Sequence, residues 1–74
     1  PPTDWANVPV DTLVRVRDNE DDEWVLRYFD SSEDESFRSM AGHNYRVFAD
    51  GATSVTGRDY VEHWKYCELA EDEE

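Results

Sequence analysis

The sequence is poor in cysteine, proline and glycine, with one Cys, three Pro and three Gly among 74 residues. Because Cys67 has no second cysteine to pair with, the class of small secreted domains held together by internal disulfides is excluded. No apolar run reaches the ~18 residues of a spanning helix, and the N-terminus lacks the basic-then-apolar order of a signal peptide. We therefore expect a soluble protein in the cytoplasm of a host cell, with no membrane partner.

Basic residues are also scarce: seven Lys and Arg stand against nineteen Asp and Glu, a formal net charge of −12. Binding to phosphates requires clustered Lys and Arg, so the charge balance argues against direct nucleic-acid binding and against an anionic membrane surface. A hydrophobic content of 38% with 14% aromatic residues is too high for a fully disordered acidic chain. Cationic protein grooves and metal ions remain as partners, or no partner at all.

The length allows one small domain, and neither a repeat nor a linker interrupts it. We expect a single β-rich domain over residues 1–70 and a flexible acidic tail over residues 71–74. A chain this short buries only ~60% of the surface that it exposes when unfolded, so its core must be compact.

The first half of the chain predicts a hairpin. Residues 12–17 alternate apolar and basic side chains, residues 18–23 are all polar, and residues 24–29 are dense in β-formers. A symmetric hairpin pairs Val16 with Trp24, Val14 with Leu26, and Thr12 with Tyr28. One face of the hairpin is then apolar in both strands, which favours this register.

The segment from residue 31 to residue 42 allows two structures. Ser32 with Glu35 has the spacing of a capping box, Phe37 and Met40 could share a buried side, and Gly42 would end a helix. The segment is therefore either a short helix or an acidic loop.

The second half again favours strands. Residues 44–49 predict a strand, Asp50-Gly51 a hairpin turn, residues 52–56 its return strand, and residues 64–69 the last strand, with residues 57–63 irregular or one helical turn. The fold class is thus mainly β (β-rich α+β): a small antiparallel curled sheet or barrel of four to five strands with at most one short helix.

No residue pattern indicates catalysis or a cofactor. The chain has no GxSxG sequence, and neither His43 nor His63 has a second soft metal ligand at a useful spacing. Cys67 is expected to be a buried thiol, and the acidic run at 18–23 lacks the glycine and final glutamate of a calcium-binding EF-hand loop. We expect a protein that is not an enzyme, with no metal site and no cofactor.

Three tryptophans could either build the core or form an exposed platform. Trp24 and Trp64 lie in predicted strands and are assigned to the core, whereas both alternatives stay open for Trp5.

The acidic residues are concentrated: five lie in residues 18–23, four in 30–35 and four in 71–74, whereas most arginines lie in predicted strands. A compact domain of this length is ~30 Å across, and duplex DNA carries ~18 charges over that length. The carboxylates therefore approach the charge density of DNA, although high charge also serves solubility. The candidate partner-binding residues are those of the two internal clusters: Glu20, Asp21, Asp22, Glu33, Asp34 and Glu35.

A resemblance extends over nearly the whole chain except residues 31–43. It is carried by Trp5-x-x-Val8-Pro9-Val10-Asp11-Thr12-x-Val14-x-Val16-Arg17-Asp18, Trp24-x-x-Arg27-Tyr28-Phe29, Asp50-Gly51-Ala52-Thr53-Ser54 and Trp64-Lys65-Tyr66-Cys67-x-Leu69-Ala70-Glu71. In these residues the sequence resembles small uncharacterised proteins encoded in phages and prophages. The motifs are mostly structural, so the resemblance implies a shared fold and transfers no catalytic residue.

Small acidic phage proteins are often inhibitors of host defence, including anti-CRISPR proteins that occupy the DNA-binding groove of a CRISPR effector. The resemblance therefore implies a non-enzymatic inhibitor, a DNA mimic that engages an Arg/Lys-rich groove of a host protein or CRISPR effector complex. The alternative is a small protein-interaction or virion-associated module that binds through an aromatic patch at Trp5, Tyr60 or Phe37, its acidity serving solubility only.

Overall fold

The computed structural model of the chain describes residues 3–32 and 45–70. After a short 3₁₀ helix at Trp5–Asn7, five strands follow. They are β1 (Leu13–Arg17), β2 (Val25–Ser32), β3 (Tyr45–Phe48), β4 (Val61–Trp64) and β5 (Tyr66–Leu69). All neighbouring strands pair antiparallel, which confirms the mainly β class with up to five strands.

The strands form one sheet in the order β4-β3-β2-β1-β5. Strands β4 and β5 lie at opposite edges of this order, yet only Lys65 separates them in the chain. Since two residues on either side of a third are at most ~7.6 Å apart, the sheet must curl until its edges meet at Lys65. The sheet is curled but not closed, with principal extents of 29 × 28 × 24 Å, close to the size expected from length.

The core lies on the inner face of the curl. Val14, Val16, Phe29 and Val47 form a fully buried cluster. Side chains from every remaining part of the sheet and from the N-terminal segment pack against it: Trp5, Val8, Val25, Trp64, Cys67 and Leu69. The period of two in β1 thus has the expected result, because both of its valines are buried.

The predicted register of the first hairpin is wrong by one residue. Val16 pairs with Val25, and Arg15 pairs with Leu26. A one-residue shift exchanges the faces of a strand, so Leu26 points outward, 52% exposed, and Phe29 points into the core. The loop lengthens to include Trp24, because Trp24 stacks on arginines of β1 instead of continuing the strand.

The predicted return strand at residues 52–56 is also wrong. The predicted turn at Asp50-Gly51 does form, since Gly51 has a positive φ of 80° and Ala52 N donates to Ala49 O (2.8 Å). The next residues form successive turns, in which Gly57 N donates to Thr53 O (2.9 Å) and Tyr60 N donates to Gly57 O (3.0 Å). The partner of β3 is instead β4, and the predicted last strand at 64–69 divides into the end of β4 and all of β5.

Strand β2 extends past residue 29, the predicted end of that strand. Ser31 and Ser32 belong to β2, where they pair with Arg46 and Tyr45 after a bulge in the β2–β3 register. Because an N-cap residue itself has extended backbone geometry, Ser32 at the end of β2 is compatible with the predicted capping box, which stays a prediction. The rest of the predicted helix and the predicted acidic tail lie outside the described residues.

Asp11 fastens the segment before β1 to the loop between β3 and β4. Its φ is 71°, a conformation that aspartate tolerates better than most residues with a side chain. One carboxylate oxygen accepts from Ser54 N (2.9 Å) and the other from Ser54 Oγ (2.5 Å). The side-chain bond from Ser54, with the backbone bond second, lowers the pKa of Asp11.

The two hydrogen bonds from Ser54 to the Asp11 carboxylate predict that the fold loses stability in acid. A carboxyl whose folded-state pKa is lowered stabilises the fold above its ordinary pKa, and that contribution disappears as the pH falls through the lowered value. We expect Asp11→Asn, which tolerates the same backbone conformation, to be less stable than wild type near neutral pH. The urea midpoints of the two proteins should converge below about pH 4. If the difference between the urea midpoints of wild type and Asp11→Asn stays constant with pH, the charge of Asp11 does not stabilise the fold.

Candidate partner-binding site

The acidic loop, residues 18–23, connects β1 to β2 as the sequence predicts. Glu20, Asp21 and Asp22 are exposed on it. The loop is an ordered turn: Asp22 N donates to Asn19 O (3.0 Å), and Asn19 Nδ2 donates to the Asp22 carboxylate (3.1 Å). An Arg17 N–H also donates to Asp22 O (3.3 Å). The three carboxylates are therefore presented from a turn with a defined shape.

Asp18, the first residue of this loop, connects it to the opposite side of the curl. Its Oδ1 accepts a hydrogen bond from Lys65 N at 3.1 Å. Lys65 is the single residue between β4 and β5, so Asp18 secures the place where the two sheet edges meet. The acidic loop and the β4–β5 junction consequently form one continuous end of the molecule.

The second predicted cluster lies outside the described residues. Glu33, Asp34 and Glu35 follow directly after Ser32, the last residue of β2. The structure therefore brings Glu20, Asp21 and Asp22 together on one loop, and the other three candidates stay a prediction.

Most basic side chains of the described residues already have partners within the chain. Arg15 forms a salt bridge with Glu68 (2.6 Å), and Arg27 does so with Glu62 (3.0 Å). Arg46 donates to Ser31 Oγ (2.8 Å). Since the two salt bridges neutralise charge locally, much of the excess negative charge of the described residues is carried by exposed loop carboxylates.

Trp24 stands apart from the core, contrary to the sequence-based assignment. The guanidinium carbons of Arg17 and Arg15 lie 4.1 and 5.2 Å from the centroid of its ring. Arg15 and Arg17 are two residues apart on β1 and share its outer face, opposite the buried valines. Arg17 Nε is buried and has no hydrogen-bond acceptor among the described residues, consistent with a position beneath the indole ring. Trp24 therefore shields cations of the sheet rather than filling its interior.

Trp5 and Trp64 do pack against the core. The Trp5 ring lies 5.2 Å from that of Phe29 and 5.3 Å from that of Tyr45, measured between centroids. The core assignment of Trp64 is thus confirmed, and Trp5, which the sequence left open, joins it. Of the other aromatic-patch residues, Tyr60 is 70% exposed and Phe37 lies outside the described residues.

A surface pocket opens beside the acidic loop, at the β4–β5 junction. We call it the junction pocket; its volume is about 220 Å³. Its walls are Arg17, Glu20, Trp24, Tyr45, Lys65, Tyr66, Cys67 and Glu68. The pocket exists because β5 pairs with β1, which places Tyr66 opposite Arg17, 49 residues away in sequence. No local sequence signal indicates this pairing.

Two groups in the pocket wall are less acidic than usual. Burial, and then the nearby Glu68 carboxylate, raises the pKa of the Cys67 thiol to about 12. Burial also raises the pKa of Tyr45. Cys67 consequently stays a protonated thiol near neutral pH and packs against the core cluster, as expected of a buried cysteine.

The described residues hold neither a metal-binding cluster nor a membrane-spanning helix. Residues 3–32 and 45–70 contain no group of three or more His, Cys, Asp or Glu side chains placed to hold a metal ion. The same ranges contain no helix with the length and apolarity to cross a membrane.

The chain was also compared with known proteins. No protein-family model, no curated protein and no solved structure matches it.

Proposed function

We propose that this chain is a non-enzymatic inhibitor that presents its carboxylates to a cationic nucleic-acid-binding groove and excludes DNA from it. The observation that carries the proposal is the exposed carboxylate group Glu20, Asp21 and Asp22 on an ordered loop fastened at Asp18. Because that loop has a defined shape, its charges can match a fixed arrangement of Arg and Lys side chains. The proposed partner is a host protein or CRISPR effector complex with an Arg/Lys-rich groove; the phage setting rests on the sequence resemblance.

The internal pairing of the cations also favours this function. Arg15 and Arg27 face carboxylates of their own sheet, so they contribute little to repulsion of a basic partner. A surface of one sign on a body ~30 Å across steers a partner of opposite sign and accelerates association.

The alternative function is protein interaction through an apolar patch. It is favoured by the exposure of Val55 (87%) and Tyr60 (70%) on the loop between β3 and β4. Binding at this loop would depend on apolar contact and would be nearly independent of salt.

A competition assay tests the proposal. A guide-loaded CRISPR effector is mixed with fluorescent target duplex and increasing protein, from about 0.05 to 0.2 M salt. We expect the protein to displace the duplex, with an affinity that falls steeply as salt rises. Simultaneous binding of protein and duplex would exclude mimicry. Salt-independent binding that is lost in a Val55→Ser, Tyr60→Ser variant would establish the alternative.

A further inference from the structure

We infer that the junction pocket receives one arginine side chain of the basic partner, an inference that rests on the proposed function. At about 220 Å³ the pocket is smaller than the ~300–1,000 Å³ of ordinary small-molecule sites. Its size and its open position beside the acidic loop suit a single long side chain.

The ring faces around this pocket already bind cations of the chain itself. Trp24 carries the guanidinium of Arg17, and Lys65 Nζ lies 5.7 Å from the centroid of the Tyr66 ring. The Arg17–Trp24 and Lys65–Tyr66 contacts differ in how firmly the cation is held in place. Arg17 is fixed by its hydrogen bond to Asp22 O, whereas Lys65 is exposed and its ammonium has no acceptor among the described residues. The place over Tyr66 is therefore held by a cation that a partner can displace.

The carboxylates of the pocket wall determine which cation is preferred. Glu68 is engaged by Arg15, whereas Glu20 is exposed and has no hydrogen bond or ion pair within the described residues. An arginine entering over Tyr66 would stack its planar guanidinium on the ring and direct its N–H groups to Glu20. Lysine, a compact and strongly hydrated point charge, gains less from such stacking. The loop carboxylates outside the pocket attract arginine and lysine alike, so the preference for arginine over lysine comes from the pocket.

The test uses hexa-arginine and hexa-lysine peptides, which carry equal side-chain charge. Wild type is expected to bind hexa-arginine about 3- to 10-fold more tightly than hexa-lysine, the range that one ring–cation contact supplies. Lys65→Ala removes the resident cation and should increase this preference further. Arg58→Ala is the matched control, because it removes one positive charge from an exposed position on the loop before β4 and should leave the preference unchanged.

Glu20→Gln and Tyr66→Leu complete the design. Each should reduce the preference for arginine toward unity, and Glu20→Gln carries little risk to folding because Glu20 is exposed on a loop. Chemical shifts of the Lys65 and Tyr66 amides should move with hexa-arginine. Equal affinity for both peptides in wild type and in Lys65→Ala would overturn the pocket while leaving electrostatic binding intact. Failure of both peptides to bind would contradict the pocket and the proposed function together.

Discussion

Reversing three loop charges, in Glu20→Lys, Asp21→Lys, Asp22→Lys, is expected to weaken binding to the cationic groove about 100-fold. Each substitution removes one attraction and adds one repulsion, together roughly 1 kcal/mol at an exposed site, and three of them amount to about 3 kcal/mol. The folded state should hardly change, because all three side chains are exposed. Within residues 3–32 and 45–70, Asp22 is the one of the three with a side-chain hydrogen bond, which it accepts from Asn19. Titration by fluorescence anisotropy and a thermal melt measure the two effects separately.

The control for this variant is a reversal of the same size at another exposed loop. Asp59 is exposed just before β4, at the end of that strand away from Lys65. The variant Asp59→Lys can therefore be compared with Asp21→Lys. A specific acidic surface requires Asp21→Lys to cost more affinity than Asp59→Lys. Equal losses would mean that only net charge matters, and retained inhibition by the triple variant would exclude the acidic loop as the contact surface.

Removing the carboxylate in Glu62→Ala is expected to produce the largest stability loss outside the apolar core, about 1–3 kcal/mol. The same oxygen, Oε1, accepts from Arg27 Nε and from Trp64 Nε1, both at 3.0 Å. The Arg27 side chain is only 14% exposed, and without Glu62 it keeps Leu26 O and a distant Asp50 contact of 3.5 Å. A domain of this size has only about 4–11 kcal/mol of stability, so the loss is large.

Glu62→Gln separates the hydrogen bonds from the charge. The amide retains an acceptor oxygen for Arg27 and Trp64, so we expect it to recover about half of the loss seen with alanine. Urea unfolding of both variants, and of each combined with Arg27→Met, gives the coupling energy of the pair. If Glu62→Ala alone unfolds at the wild-type urea concentration, the network does not stabilise the fold.

Local sequence patterns sufficed for the parts of the fold that depend on neighbours in the chain. The alternation in residues 12–17 predicted that Val14 and Val16 share a buried face, and the run of polar residues at 18–23 predicted an exposed loop. Asp50-Gly51 predicted a hairpin turn: a turn does form there, with Gly51 at positive φ and Ala52 N donating to Ala49 O (2.8 Å), although the predicted return strand does not follow it. These features need no information about distant strands.

Register and strand partners could not be predicted in this way. A hairpin paired one residue differently has almost the same local chemistry, yet it moves Leu26 and Phe29 to opposite faces. The correct register is selected by the whole core, because Phe29 must meet Val47 on the neighbouring strand. The return strand failed for a related reason: residues 52–56 are compatible with a strand, but β4 supplies the pairing for β3.

By itself, the sequence determined a mainly β domain, a charge of −12 and an exposed acidic loop, because composition and alternation act locally. Only the tertiary structure decided what lies beside that loop. Pairing of β1 with β5 places Tyr66 next to Arg17, and the bond from Lys65 N to Asp18 joins the acidic loop to the β4–β5 junction. Contacts between residues about 50 positions apart depend on the path of the whole chain. For that reason the negative charge of the acidic loop could be predicted from the sequence, whereas the pocket beside that loop could not.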